Sequence, residues 1–203
     1  MRRITPRRGS VSVLTAAIML MLLLGLAFAA DLSGALSARS SQANLAGLAR
    51  DATMSSAFLM QAKNSEDPGG EVARRAAESL RENGWEGEID VWFAEADASE
   101  LPAGKRAWAW AVSTSSTSPA WFSHAFGGGG DIEVADGAAA RAVPYTAGAA
   151  WRPAGDAQER HYRFEAGISA DPSSEDDMPL SDMPAAVRSQ MASALDEARR
   201  DAP

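Results

Sequence analysis

The residues of this 203-residue chain that can exchange protons or attack a substrate are few. There are two histidines, His124 in PAWFSHAFG and His161 beside Arg160, and no cysteine. No HExxH pattern occurs, and neither histidine has the other within helical reach, so the common zinc arrangements have no footing. Without cysteine there is no thiolate ligand, no thiol nucleophile and no disulfide framework. Gly127–Gly130 lacks the lysine and serine or threonine of a phosphate loop, and Asp131 with a strand pattern follows it, so it reads as a hairpin connection. Glu175, Asp176 and Asp177 are consecutive, without the spaced carboxylates and glycine of a calcium loop, and the STSSTSP stretch has no GxSxG elbow or marked base. These patterns point to a chain with no catalytic residues, no cofactor and no metal.

The elements that would hold such residues are clearer than the residues themselves. Val11 to Ala30 carries no charge, and as a helix it measures about 30 Å, the thickness of a bilayer hydrocarbon core. Arg2, Arg3, Arg7 and Arg8 precede it and Asp31 closes it, so the positive-inside rule keeps the N-terminus cytoplasmic and sends the body outside. The net charge is −8; with those four arginines set aside, 15 basic residues face 27 acidic ones. A body so acidic, with only Lys63 and Lys105 as lysines, argues against nucleic acid as a partner. A rival reading is a secretory signal released after Ala29, since Ala27-Phe28-Ala29 has suitable small residues. The apolar run is longer than most such signals, which favours an anchor.

Beyond Asp31, Leu45, Leu48, Ala52 and Leu59 share a helical face through Lys63, so the helix is expected to continue outward. NSEDPGG breaks it, and a second helix follows with Val72, Ala76 and Leu80, stopped at Gly84. Ile89, Val91 and Phe93 alternate in one strand, and Trp108, Trp110 and Val112 in another, with ELPAG as the turn. A third strand runs through Ile132, Val134, Ala138, Ala140 and Ala142, and its alanine face suits a helix lying close upon it. RHYRFEAGIS reads as a fourth strand through Ile168, DPSSEDDMPLSDMP as a mobile acidic loop, and Val187, Met191 and Leu195 mark a last helix. Four of six tryptophans surround the first hairpin. Core packing explains most of them, and one left on an outer strand would mark a protein contact, with Trp92, Trp108 and Trp110 as the contact candidates.

The order of these features resembles the TadE/TadG-like proteins of Tad (Flp, tight adherence) pilus assembly. Arg8-Gly9, Asp31, Ala38-Arg39, Gln42 and Leu48-Ala49 match the first half of that pattern. Val112, Pro119, Phe122, Gly127, Val134, Ala138, Ala140 and Ala142 match the second. The resemblance implies an α+β fold, a single transmembrane helix extended into a pilin-like helix and packed on a small antiparallel sheet. It divides the chain into a cytoplasmic N-terminus (1–9), the transmembrane helix (10–30), an extracytoplasmic pseudopilin-like domain (31–143) and a partly flexible C-terminal extension (144–203). It also implies a cell-membrane location, pilus-assembly proteins or pilin subunits as partners, and a prepilin-type processing site at Gly9 and Ser10. Leu14 stands where pilins carry glutamate, which aligns the chain with the uncleaved, TadG-like members.

Overall fold

The structure is a computed structural model that describes residues 8–120, 122, 124, 130–143 and 156–202, with side chains from Ser12 onward. Arg2, Arg3, Arg7, Gly127 and the stretch 144–155 lie outside the described residues. The chain forms two compact units. One holds the residues up to Ala38 with Thr117–Val134, and the other holds Arg39–Ser116 with everything from Ala135 on.

The architecture is α+β, as expected: a long apolar N-terminal helix, a five-stranded antiparallel sheet and a C-terminal helix. Helices α1 (Arg8–Thr53), α2 (Ser56–Asn64) and α3 (Pro68–Glu82) precede strands β1 (Glu88–Glu95), β2 (Trp108–Ser118), β3 (Ile132–Ala142), β4 (Gln158–Phe164) and β5 (Ser174–Asp177), and α4 (Ala185–Asp201) ends the chain. The strand order is β3-β2-β1-β4-β5. The expected hairpin is present, with Phe93 opposite Trp110 and Val91 opposite Val112.

In the second unit the central strands of the sheet are buried on both faces. One face presents Ile89, Val91 and Phe93 from β1, Trp108, Trp110 and Val112 from β2, and Tyr162 and Phe164 from β4. It packs on Ala46 and Ala49 of α1, Phe58 and Ala62 of α2, and Val72, Ala76 and Leu80 of α3. The opposite face presents Trp92, Ala94, Ala109 and Ala111 to Met191, Leu195 and Ala198 of α4. Large residues fill the gap under three helices, while alanines let a single helix approach closely; fully burying each large side chain is worth about 1.5–3 kcal/mol. Ala138 and Ala140 of β3 pack against the first cluster, in line with the expected helix-covered strand.

Several boundaries differ from expectation for local reasons. The outward helix does not run on to Lys63: it ends at Thr53, whose hydroxyl donates to the Arg50 carbonyl, and Ser55 starts α2 by accepting from the Phe58 N–H. Its buried face is Gln42, Ala46, Ala49 and Thr53, whereas Leu48 is exposed. Pro68, Gly69 and Gly70 of NSEDPGG belong to α3, because Asp67 caps it by accepting from the Gly70 N–H at 2.9 Å and Pro68 occupies the first turn. Gly84 stops that helix at φ +85, with the Trp85 N–H reaching the Leu80 carbonyl.

The segment 144–203, set apart from the domain by the sequence reading, supplies β4, β5 and α4. Strand β4 lies beside β1, with Tyr162 opposite Val91 and His161 opposite Trp92. It ends at Phe164, before Gly167 turns the chain at φ +141, so Ile168 is exposed rather than in the strand. The acidic stretch expected to be mobile contains β5, paired to β4 through Tyr162 opposite Glu175.

Candidate functional site: the apolar half of the first helix

The most unusual chemistry in the first unit is exposed hydrocarbon. From Val13 to Phe28, α1 exposes Val13, Leu14, Ile18, Met19, Leu20, Met21, Leu22, Leu23, Leu24, Leu26 and Phe28. The helix is long and apolar enough to cross a membrane. A helix apolar all round has no buried face to turn toward a core, and a patch of this size needs a covering medium.

Asp31 is more than a flanking charge. It is buried, and its Oδ1 accepts from the Phe122 backbone N–H at 3.3 Å. Ala27 and Ala35, four residues either side on the same helical face, are buried as well, and a Cβ on Gly34 would meet the Ser118 hydroxyl at 3.9 Å. Small residues around one carboxylate thus let the chain after β2 lie against α1. Asp31 and Phe122 were legible only as separate matches to a pattern; their bond requires the fold.

Arg8 is the first residue of α1, and Gly9 and Ser10 lie within its first turn. Trp92, Trp108 and Trp110, the contact candidates, are at most 6% exposed and serve the core instead. Trp92 lies on the face of β1 opposite Ile89, Val91 and Phe93, and that face is covered by α4. His124 is exposed and lies 3.1 Å from Asp131. His161 is buried, stacks on Trp92 with ring centroids 5.1 Å apart, and meets Asp90 at 2.8 Å. Arg163 Nε donates to the same Asp90 oxygen at 3.0 Å. Burial raises the Asp90 pKa, but the bonds from His161 and Arg163 outweigh it and hold the carboxyl below its ordinary range. Glu175 pairs with Arg160. Among the described residues no group of His, Asp and Glu is arranged to hold a metal ion.

Three polar constructions were not anticipated from sequence. Arg106 grips Glu95 with two bonds, at 2.5 and 2.7 Å, and donates to the carbonyls of Lys63 and Ser65. Lys63 is itself 1% exposed, with no hydrogen-bond partner for its ammonium, and burial, Lys105 and Arg106 all lower its pKa. Arg81 donates to four carbonyls, of Trp85, Gly87, Glu165 and Ser169, and so ties the end of α3 to two loops. Tyr162 donates to Asp67 at 3.2 Å, and burial followed by Asp67 and Glu175 pushes its phenol well up. These groups organise the second unit. No protein-family model matches the chain, nor does any curated protein or solved structure.

Proposed function

We propose that the protein is a single-pass membrane component of Tad/Flp-type pilus assembly, non-catalytic, with its α+β body outside the cytoplasm. The observation that carries the reading is α1, one unbroken helix from Arg8 to Thr53. Its early residues are exposed and apolar, while Ala46 and Ala49 belong to the core of the second unit. Anchor and body therefore share one element, as the resemblance to TadE/TadG-like proteins implies. Confinement to the membrane plane raises the effective concentration of the body near other assembly proteins there.

The same helix weighs against release after Ala29. Ala27-Phe28-Ala29 sits inside it, and Ala27 is part of the buried stripe around Asp31. Mass measurement of the mature protein from the membrane fraction separates the outcomes. An intact N-terminus supports the anchored reading, a chain starting at Ser10 indicates prepilin-type processing, and one starting at Ala30 overturns the anchor. The pilus assignment is tested by deleting the gene and counting surface fibres. Fibres at wild-type number and length would refute it.

A further inference from the structure

The charge pattern of α1 and its exposed side chains do not stop at the same residue. By charge, the apolar run ends at Asp31. Yet that carboxylate is 6% exposed and turned toward the Phe122 backbone, so it puts no charge on the outer flank of the helix. On that flank Phe28, Leu32 and Leu36 recur every four residues and are 66%, 45% and 57% exposed. Phe122, whose N–H reaches Asp31, leaves 48% of its own surface open. Ser33 and Ser37 are exposed on a different side.

Helix length gives this stretch a level. From Arg8 to Arg39, the next charge after Asp31, α1 measures about 46 Å at a rise of ~1.5 Å per residue. A bilayer with its headgroups is about 40–45 Å thick, with a hydrocarbon core of about 30 Å. If Arg8 stands within the near headgroup layer, Phe28, Asp31 and Leu36, about 30, 34 and 42 Å along, run from the end of the hydrocarbon core to the outer edge of the far headgroup layer. An element there meets acyl chains and polar headgroups together, which suits one apolar flank beside serines.

We infer that Phe28, Leu32 and Leu36 of α1, together with Phe122, form a lipid-contact collar in the far headgroup layer, with Asp31 shielded from lipid by the Phe122 backbone. The inference rests on the membrane-spanning reading above. The occupant is a lipid surface, because the flank continues the exposed apolar surface of Val13–Phe28 without an intervening exposed charge. Phe122 is thereby held on the membrane instead of standing off it.

The absence of cysteine makes the test clean. Single-cysteine variants of the full chain at Leu22, Leu36, Phe122 and Ala43 carry nitroxides in phosphatidylcholine–phosphatidylglycerol vesicles. Spectral broadening is read with membrane-soluble oxygen and with a water-soluble nickel chelate. Leu22 is expected to meet oxygen only and Ala43 mainly nickel, while Leu36 and Phe122 meet oxygen with several-fold less nickel broadening than Ala43. Nickel broadening at Leu36 and Phe122 equal to that at Ala43 overturns the collar. Protection from both agents overturns it too, in favour of a protein covering. If Leu22 meets nickel, the spanning reading itself has failed. Asp31→Ala, added to the Phe122 label, is expected to raise nickel broadening there and leave Leu22 unchanged; no rise means that Asp31 does not hold position 122.

Discussion

Glu95→Gln isolates one charge with little change of shape. The native carboxylate is 1% exposed and lies against the Arg106 guanidinium, itself 4% exposed, while Lys63, whose carbonyl accepts from Arg106, has no hydrogen-bond partner for its ammonium. The substitution leaves buried positive charge without its counter-ion. Breaking a buried pair by removing one partner costs about 3–5 kcal/mol, and glutamine keeps one acceptor oxygen, so about 3 kcal/mol is expected. Typical domains have about 5–15 kcal/mol in total, so the loss is a large fraction of stability. Urea unfolding of the full chain in detergent, followed by fluorescence of the buried tryptophans, measures it. Adding Lys63→Met to Glu95→Gln should recover part of the loss, because one uncompensated cation is gone. A cost for Glu95→Gln under about 1 kcal/mol, the range of exposed pairs, would refute the reasoning by showing that water reaches the site.

Tyr162 gives an alkaline signature. Its phenol is held neutral in the fold while the unfolded chain ionises near 10.0, so stability is present below that pH and lost progressively as pH rises above it toward the higher folded-state value. Tyr162→Phe should flatten the loss; an unchanged slope in urea titrations would show that another group titrates. At Gly137, a Cβ would lie closer than 3.0 Å to the Val112 carbonyl oxygen, so Gly137→Ala should push β3 from β2 and cost about 2 kcal/mol. Gly25→Ala, which meets nothing within 4 Å, should leave the melting temperature of the same preparation unchanged.

What was legible in sequence follows from how local each signal is. Period-four apolar spacing located α3 and α4, and the alternation of Trp108, Ala109, Trp110 and Ala111 correctly separated the large face of β2 from its small face. Strand β5 was not legible because Ser174–Asp177 has no apolar pattern. It is held by backbone pairing at the sheet edge, where charges are tolerated and discourage further strands. The bridge between Glu95 and Arg106 spans 11 residues and depends on hairpin register, with Glu95 opposite Trp108 and Ala96 bonded to Ala107. A signal existed: a glutamate closing an apolar strand, and a Lys-Arg pair opening the next. The bond from Asp31 to Phe122 crosses 91 positions and had no such signal.

The position of the tryptophans changes how the pilus reading should be tested by mutation. Trp110 is fully buried on the sheet face that packs on α1, α2 and α3, so Trp110→Ala removes core volume and should cost about 3–5 kcal/mol. In cells, a loss of that size lowers the amount of folded protein, and fibres would disappear whether or not Trp110 ever touches a partner. Fibre loss alone therefore says nothing about contact. Trp110→Phe keeps most of the apolar volume. If Trp110→Phe restores both protein level and fibres, the tryptophan acts through the core. If it restores protein level while fibres stay absent, the side chain has a contact role and the assignment of Trp110 to the core alone is refuted.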